Sequence, residues 1–297
     1  MGWTKRVGLF LFVNLLVLFT ISFVLRIFNV HPYISDLGID YYALMIFCLI
    51  WGMGGALISL LLSRIMAKWM MGVHLVDVDT RDPMLKELID VVYRLAEKAS
   101  LSTMPEVGIY HSSEVNAFAT GPTRSRALVA VSSGLLERMN RDEVEGVLAH
   151  EISHIANGDM VTMTLIQGIV NAFVLFLARV VAFFILRGNR QRGSGGLSSF
   201  TYYITVFFLE LVLMVLGSLV VFWFSRFREY RADAGGALLV GRNKMLLALE
   251  RLKKTSEIPD SKSSREIFQT FKISGKRSRF LALFSTHPSI EERVKRL

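Results

Sequence analysis

Four stretches of the chain are almost unbroken runs of apolar residues: about Val7–Phe28, Tyr42–Leu62, Val161–Leu186 and Phe200–Phe224. Each is long enough to cross a bilayer as a helix, which takes about 20 residues. The first run follows Lys5 and Arg6. Signal peptides have a shorter apolar core and a small-residue cleavage site, so this run is read as a retained transmembrane helix. The loop Asn29–Asp40 carries Asp36 and Asp40 but no Lys or Arg, whereas Arg64 and Lys68 follow the second run. Basic residues mark the cytoplasmic side, which puts the N-terminus and everything after Leu62 in the cytoplasm.

The third and fourth runs depart from that rule. Their connection, Arg187–Ser199, carries Arg187, Arg190 and Arg192, and a spanning pair would place these outside. Either the pair is forced across by the spans before it, or it dips in partway from the cytoplasmic side. Two charges interrupt the runs, Arg179 and Glu210, at similar distances from Gly193. In a helical hairpin they face each other, and the cost of an isolated charge at that depth predicts an ion pair. The alternative has Arg179 snorkelling and Glu210 in the headgroup zone.

The remaining pattern is that of a water-facing domain. Val73–Val78 reads as a short strand. Asp82-Pro83 reads as a cap and first helical residue, opening an amphipathic helix with Leu85, Leu88, Ile89, Val92 and Leu95 on one face. Glu106–His111, Val115–Thr120 and Leu128–Ser132 read as strands. A short helix at Leu135–Met139 follows, then a longer one around residue 150. Beyond the fourth run, Glu229–Leu239 and Asn243–Leu252 read as helices, Thr255–Lys276 as a polar loop, and Ser285–Leu297 as a segment closing in a helix.

Composition supports this division. With 52% hydrophobic residues in 297, the chain is more apolar than an ordinary soluble domain. The net charge of +9 fits membrane topology and anionic lipid. Few aromatics interleave with the basic residues outside the apolar runs, which argues against a nucleic-acid partner. Cys48 is the only cysteine, so no intramolecular disulfide and no cysteine-based metal site is possible.

His150-Glu151-Ile152-Ser153-His154 carries the chemistry. On a helix, residues four apart lie on one face, so both imidazoles can bind one zinc ion while Glu151 is placed to take a proton from an activated water. A catalytic zinc takes three protein ligands. No third histidine follows at the expected spacing, since positions 157 and 160 are Asn and Met. In Glu229-Tyr230-Arg231-Ala232-Asp233, two acids share a helix face. Glu229 can bind the metal and Asp233 can hydrogen-bond the far nitrogen of a zinc histidine. Equally, the two are an exposed acid pair amid Arg226, Arg228 and Arg231. If Glu229 is the ligand, the two intervening runs must return the chain to the same membrane face. His31, His74 and His111 have no partner at ligand spacing.

His150–Asp159 (HEISHIANGD), Glu229–Asp233 (EYRAD), Asn116–Gly121 (NAFATG) and Ser285–Ser289 (STHPS) together resemble the HtpX family of bacterial inner-membrane zinc metalloproteases, distant kin of the CAAX prenyl proteases. The resemblance covers nearly the whole chain. It implies one zinc ion held by His150, His154 and Glu229, with Glu151 as general base and Asp233 behind the zinc ligands. It implies that Asn116, Ala117, Phe118 and Ala119 form an edge strand that takes extended substrate by main-chain hydrogen bonds. Asn116 then either holds substrate backbone or is an ordinary turn residue. His287 either stabilises the oxyanion or is a His-Pro helix start without chemistry.

The expected fold is therefore an α+β membrane protein, with four apolar helices plus a mainly helical, zincin-like metalloprotease domain with a small β-sheet. The expected segments are 1–62 (two transmembrane helices), 63–160 (first catalytic part), 161–224 (membrane hairpin) and 225–297 (second catalytic part). The function implied is endoproteolysis of damaged or misfolded membrane proteins at the cytoplasmic face of the inner membrane, as part of quality control and the stress response. The alternatives are a specific processing protease and a non-proteolytic, zinc-stabilised membrane chaperone.

Overall fold

The structure is a computed structural model, and it describes residues 34–35, 38–190, 199–257 and 287–297. The apolar run Val7–Phe28, the side chains of Arg187, Arg190 and Arg192, and most of the expected loop at 255–276 lie outside the described residues. By contacts the chain divides into two compact units. One takes residues 62–161 and 222–297; the other takes 162–221 and the residues before 62.

Among the described residues, the apolar unit opens with a short ribbon, β1 (Ile34–Ser35) paired antiparallel with β2 (Gly38–Ile39). Asp40 then accepts from the N–H groups of Tyr42 and Ala43 at 2.9 and 3.0 Å, satisfying donors that a helix start leaves without partners. It opens α1 (Tyr41–Met70). Two more long helices follow, α5 (Asp159–Arg190) and α6 (Ser199–Val240). These three are, among the described residues, the helices long and apolar enough to cross a membrane. Small residues let α1 and α5 approach: a Cβ on Gly52 would lie 2.4 Å from the Ala172 nitrogen, and one on Gly168 2.6 Å from the Met53 sulfur. Arg179 and Glu210 form the expected ion pair, 2.6 Å apart, and Arg179 also donates to the Leu175 carbonyl. The Arg179 guanidinium lies 5.3 Å from the centre of the Phe47 ring.

Helix α6 corrects the reading of two elements as separate. The fourth run and the segment carrying Glu229 are one helix, because Ser225-Arg226-Phe227-Arg228 contains no glycine or proline to stop it. The polarity of the sequence changes there, and a helix crosses such a change without breaking.

The polar unit is built on a four-stranded sheet in the order β3-β4-β6-β5. Its strands are β3 (His74–Leu75), β4 (Glu106–Tyr110), β5 (Ala117–Thr120) and β6 (Leu128–Ser132). β4 and β6 run parallel, and the other pairings are antiparallel. β3 is shorter than the expected 73–78, although Val76 adds one more bond to Val107. β6 is buried throughout: Val129 and Val131 face one core, Leu128 and Ala130 the other, as the two-residue strand period requires.

The first core holds α2 (Pro83–Lys98) and α4 (Arg141–Asn157). α2 buries Leu88, Ile89, Val92, Leu95 and Ala96, its sequence-visible apolar face. After the short α3 (Ser133–Arg138), Asn140 and Glu143 form a reciprocal capping box that fixes the start of α4. Gly158, in the left-handed conformation at φ 69°, ends it. α7 (Arg242–Glu257) packs across α4 at Gly146, where a Cβ would sit 2.6 Å from the Lys244 carbonyl. Lys244 locks that crossing by pairing with Glu145 at 2.6 Å and Asp142 at 2.8 Å. The chain closes with α8 (Ile290–Arg296), capped by the Ser289 side chain.

Two outcomes follow from these ion pairs. Replacing Arg179 by Met, or Glu210 by Leu, leaves its partner uncompensated and should cost about 3–5 kcal/mol, whereas the double variant should cost clearly less. Thermal unfolding in detergent checks this, and a double variant no better than the singles would refute it. At Glu145, burial pushes the carboxyl up, but Lys244 and Arg94 more than offset it and hold it below the ordinary range. A carboxyl lowered in the folded state adds stability above its unfolded value, and that stability fades as pH falls through the folded value. Lys244→Met should therefore lose up to about 1 kcal/mol at pH 7, after allowing for solvent screening, with the gap closing below about pH 4. Equal gaps at pH 7 and pH 3 would contradict this.

Candidate metal centre

The site lies within the polar unit, on the face of α4 turned to α6. His150 and His154 are one helical turn apart, each 8% exposed, with their Nε2 atoms 3.1 Å from each other. Glu229, on α6 and only 1% exposed, brings Oε2 to 3.4 Å from His150 Nε2 and Oε1 to 3.5 Å from His154 Nε2. Bonds of about 2.0–2.1 Å at tetrahedral angles put donor atoms about 3.3 Å apart, so this triangle has the dimensions of three zinc ligands. Among the described residues it is the group of histidine and carboxylate side chains placed to hold a metal ion.

Glycines make the approach possible. On α6, a Cβ at Gly235 would lie 2.8 Å from Ser153 Oγ, and one at Gly236 3.3 Å from the His150 nitrogen. A side chain at Gly235 would force α6 and Ser153 apart, and one at Gly236 would need Met245 and the α4 backbone to give by a few tenths of an ångström. The sequence reading passed over this pair because glycine in a helix signals nothing until its neighbour is known.

On the side away from the triangle, each imidazole turns its Nδ1 to a carboxylate. His150 Nδ1 lies 3.0 Å from Asp233 Oδ1, and His154 Nδ1 2.6 Å from Asp159 Oδ2. Such bonds fix the tautomer with the Nε2 lone pair toward the metal position. Asp159 was not singled out from the sequence. It stands five residues beyond His154, off the i, i+4 face, and reaches back only because Gly158 reverses the chain. Asp233 in turn is gripped by Arg293 of α8 through Nε to Oδ2 at 2.7 Å and Nη2 to Oδ1 at 2.6 Å.

The electrostatics reflect this crowding. Burial alone would drive the His150 imidazole down, but hydrogen bonds to Asp233 and Glu229 raise it to about 9. Burial pushes Glu229 up, yet His150 and His287 hold it far below the ordinary carboxylate range. Asp233 is also lowered, with Arg293 and His150 outweighing its burial. Two imidazole nitrogens and a carboxylate this close need a cation among them, either a shared proton or a metal ion.

Glu151, one residue past His150, points to β5, where its Oε2 accepts the Ala119 N–H at 2.9 Å. β5 is an edge of the sheet. Asn116 accepts from the Ser132 N–H on the paired side. The alternation of a strand then turns the backbone groups of Ala117 and Ala119 to the open side. Asn116 and Ala117 line a cavity of about 140 Å³ together with His150, Glu151, Glu229 and His287. Phe118 instead packs on Tyr110, ring centres 5.6 Å apart, and Ala119 packs against the first core. His287 brings Nδ1 to 2.9 Å from Glu229 Oε2. A larger groove of about 810 Å³ lies beside α2 and the start of α4, and its rim pairs Arg94 with Glu145 and Arg141 with Glu87.

Comparisons with known proteins identify the family. Residues 84–297 match the model of peptidase family M48. A "Protease HtpX homolog" from Bacillus licheniformis is 50% identical over 301 residues, covering 99% of this chain and 98% of the relative. A protein of the same description from Bacillus subtilis is 49% identical over 302 residues, with the same coverage. "Protease HtpX" of Acinetobacter baumannii is 47% identical over 296 residues, covering 98% of this chain and 97% of the relative. Among solved structures, S. mikatae Ste24p shares the fold with a TM-score of 0.62 at 18% identity; 99% of this chain aligns, spanning 64% of that structure. The chain therefore belongs to peptidase family M48, among the HtpX proteases, and is a metalloprotease with membrane-type helices.

Proposed function

We propose that this protein is a zinc endopeptidase of the bacterial inner membrane that degrades damaged or misassembled membrane proteins at the cytoplasmic face. The observation that carries the reading is the meeting of three elements: the His150–His154–Glu229 triangle, the Glu151 carboxylate beside it, and an open strand edge alongside. His150, His154 and Glu229 hold the metal ion. When bound there, zinc supplies Lewis-acid polarisation of the scissile carbonyl and lowers the pKa of water.

The chain's own groups do the rest. Glu151 takes a proton from the attacking water and returns it to the leaving amine. The Ala119 N–H holds Glu151 in place for both steps. Ala117 offers its N–H and C=O to an extended substrate, and because those bonds go to main chain the recognition is tolerant of sequence. Asn116 lines the same cavity and holds substrate backbone, while His287 stabilises the developing oxyanion. A strand edge reads only locally unfolded chain, which favours damaged proteins over folded ones. The membrane helices confine the site to substrates at the bilayer, and the basic residues Arg64 and Lys68 favour a cytoplasmic site.

Glu151→Gln should retain zinc and lose about 10²–10⁴-fold in cleavage of casein or a detergent-solubilised membrane substrate. Retained activity would remove Glu151 from the chemistry. Glu229→Ala should lose bound zinc, read by metal analysis of the purified protein. Asp159→Asn should keep the site but weaken zinc by about 10–100-fold in a chelator competition. Cleavage confined to a single sequence motif across a panel of peptides would favour specific processing over quality control.

A further inference from the structure

The C-terminal helix α8 brings a buried arginine into the site from a part of the chain that is neither the metal helix nor α6. Arg293 is 8% exposed and Asp233 2%. Both charges are removed from water, which costs several kcal/mol per ion unless each is matched. They match each other by a two-pronged grip, Nε to one carboxylate oxygen and Nη2 to the other. That planar fork fixes the rotation of the Asp233 carboxylate as a single bond cannot. The oxygen that accepts from Nη2 is Oδ1, the same atom that faces His150 Nδ1 at 3.0 Å. Arg293 Nη2 itself stands 3.4 Å from that ring nitrogen.

We propose that Arg293 is a positioning residue for the metal site, acting through Asp233 to fix the orientation of His150. The inference rests on the metal reading above. An Asp233 freed from Arg293 can rotate about its last bond and leave His150 Nδ1 without its acceptor. His150 then loses both its fixed tautomer and its ring direction. The rest of α8 is fastened independently: Lys253 pairs with Glu291 at 2.7 Å, and the Arg296 guanidinium stacks 3.8 Å from the Tyr230 ring. The helix thus has anchors that do not involve Asp233, which allows its docking to be separated from the grip of Arg293.

The test is zinc affinity of the full-length protein in detergent, measured by competition with a chromophoric chelator. Arg293→Ala and Asp233→Asn should each weaken zinc by about 10–100-fold. The double variant should be no weaker than the weaker single variant, because both act through one chain of contacts. Arg293→Lys keeps the charge without the fork and should bind between wild type and Arg293→Ala; it also serves in the cycle if Arg293→Ala does not fold. Lys253→Met with Arg296→Ala, which loosens α8 elsewhere, should bind zinc as wild type does. Four outcomes overturn the inference: Arg293→Ala with wild-type affinity, Arg293→Lys with wild-type affinity, a double variant whose loss is the product of the single losses, or an anchor variant as weak as Arg293→Ala. A wild-type protein that binds no zinc removes the metal reading and this inference with it.

Discussion

The centre depends on one buried carboxylate. Glu229 is almost fully removed from water and lies against two imidazoles that are themselves buried. Desolvating an ion in this way is costly, and the cost is met only if positive charge stands beside it. Everything nearby follows from that requirement. The histidines present unsubstituted nitrogens to it, and the spacing of the three donor atoms is that of a tetrahedral metal ion.

Bringing those atoms together is a matter of helix packing. Gly235 lets α6 lie directly on α4, and Gly146 lets α7 cross the same helix nearer its start. Between His154 and Glu229 the sequence includes all of α5 and the first 30 residues of α6. Two of the three candidate ligands are therefore local to one helix, and the third is set by tertiary packing alone.

Around this triangle the polar groups form chains rather than isolated pairs. Arg293 holds Asp233, which faces His150; Asp159 faces His154; the Ala119 N–H holds Glu151. In a medium of low dielectric each link is strong when made and expensive when broken. The last link also joins Glu151 to the strand edge, so the carboxylate beside the triangle and the open backbone groups of β5 are tied together.

Much of this protein was legible in the sequence because it is periodic or local. Helical spacing put His150 and His154 on one face, apolar runs marked the long helices, and the cost of a lone charge paired Arg179 with Glu210. The resemblance named Glu229, which spacing alone left as one of two readings. Other features could not be read from sequence order. Asp159 opens the helix after α4, and it reaches His154 only because Gly158 turns the chain. Arg293 is 60 residues from its partner Asp233. The continuity of α6 was hidden by a change of polarity that does not interrupt backbone hydrogen bonding. The sequence by itself determined which groups could bind a metal, since that chemistry belongs to residue types at a fixed helical spacing. Only the tertiary structure decided which groups orient them, because that depends on which helices the glycines allow to touch.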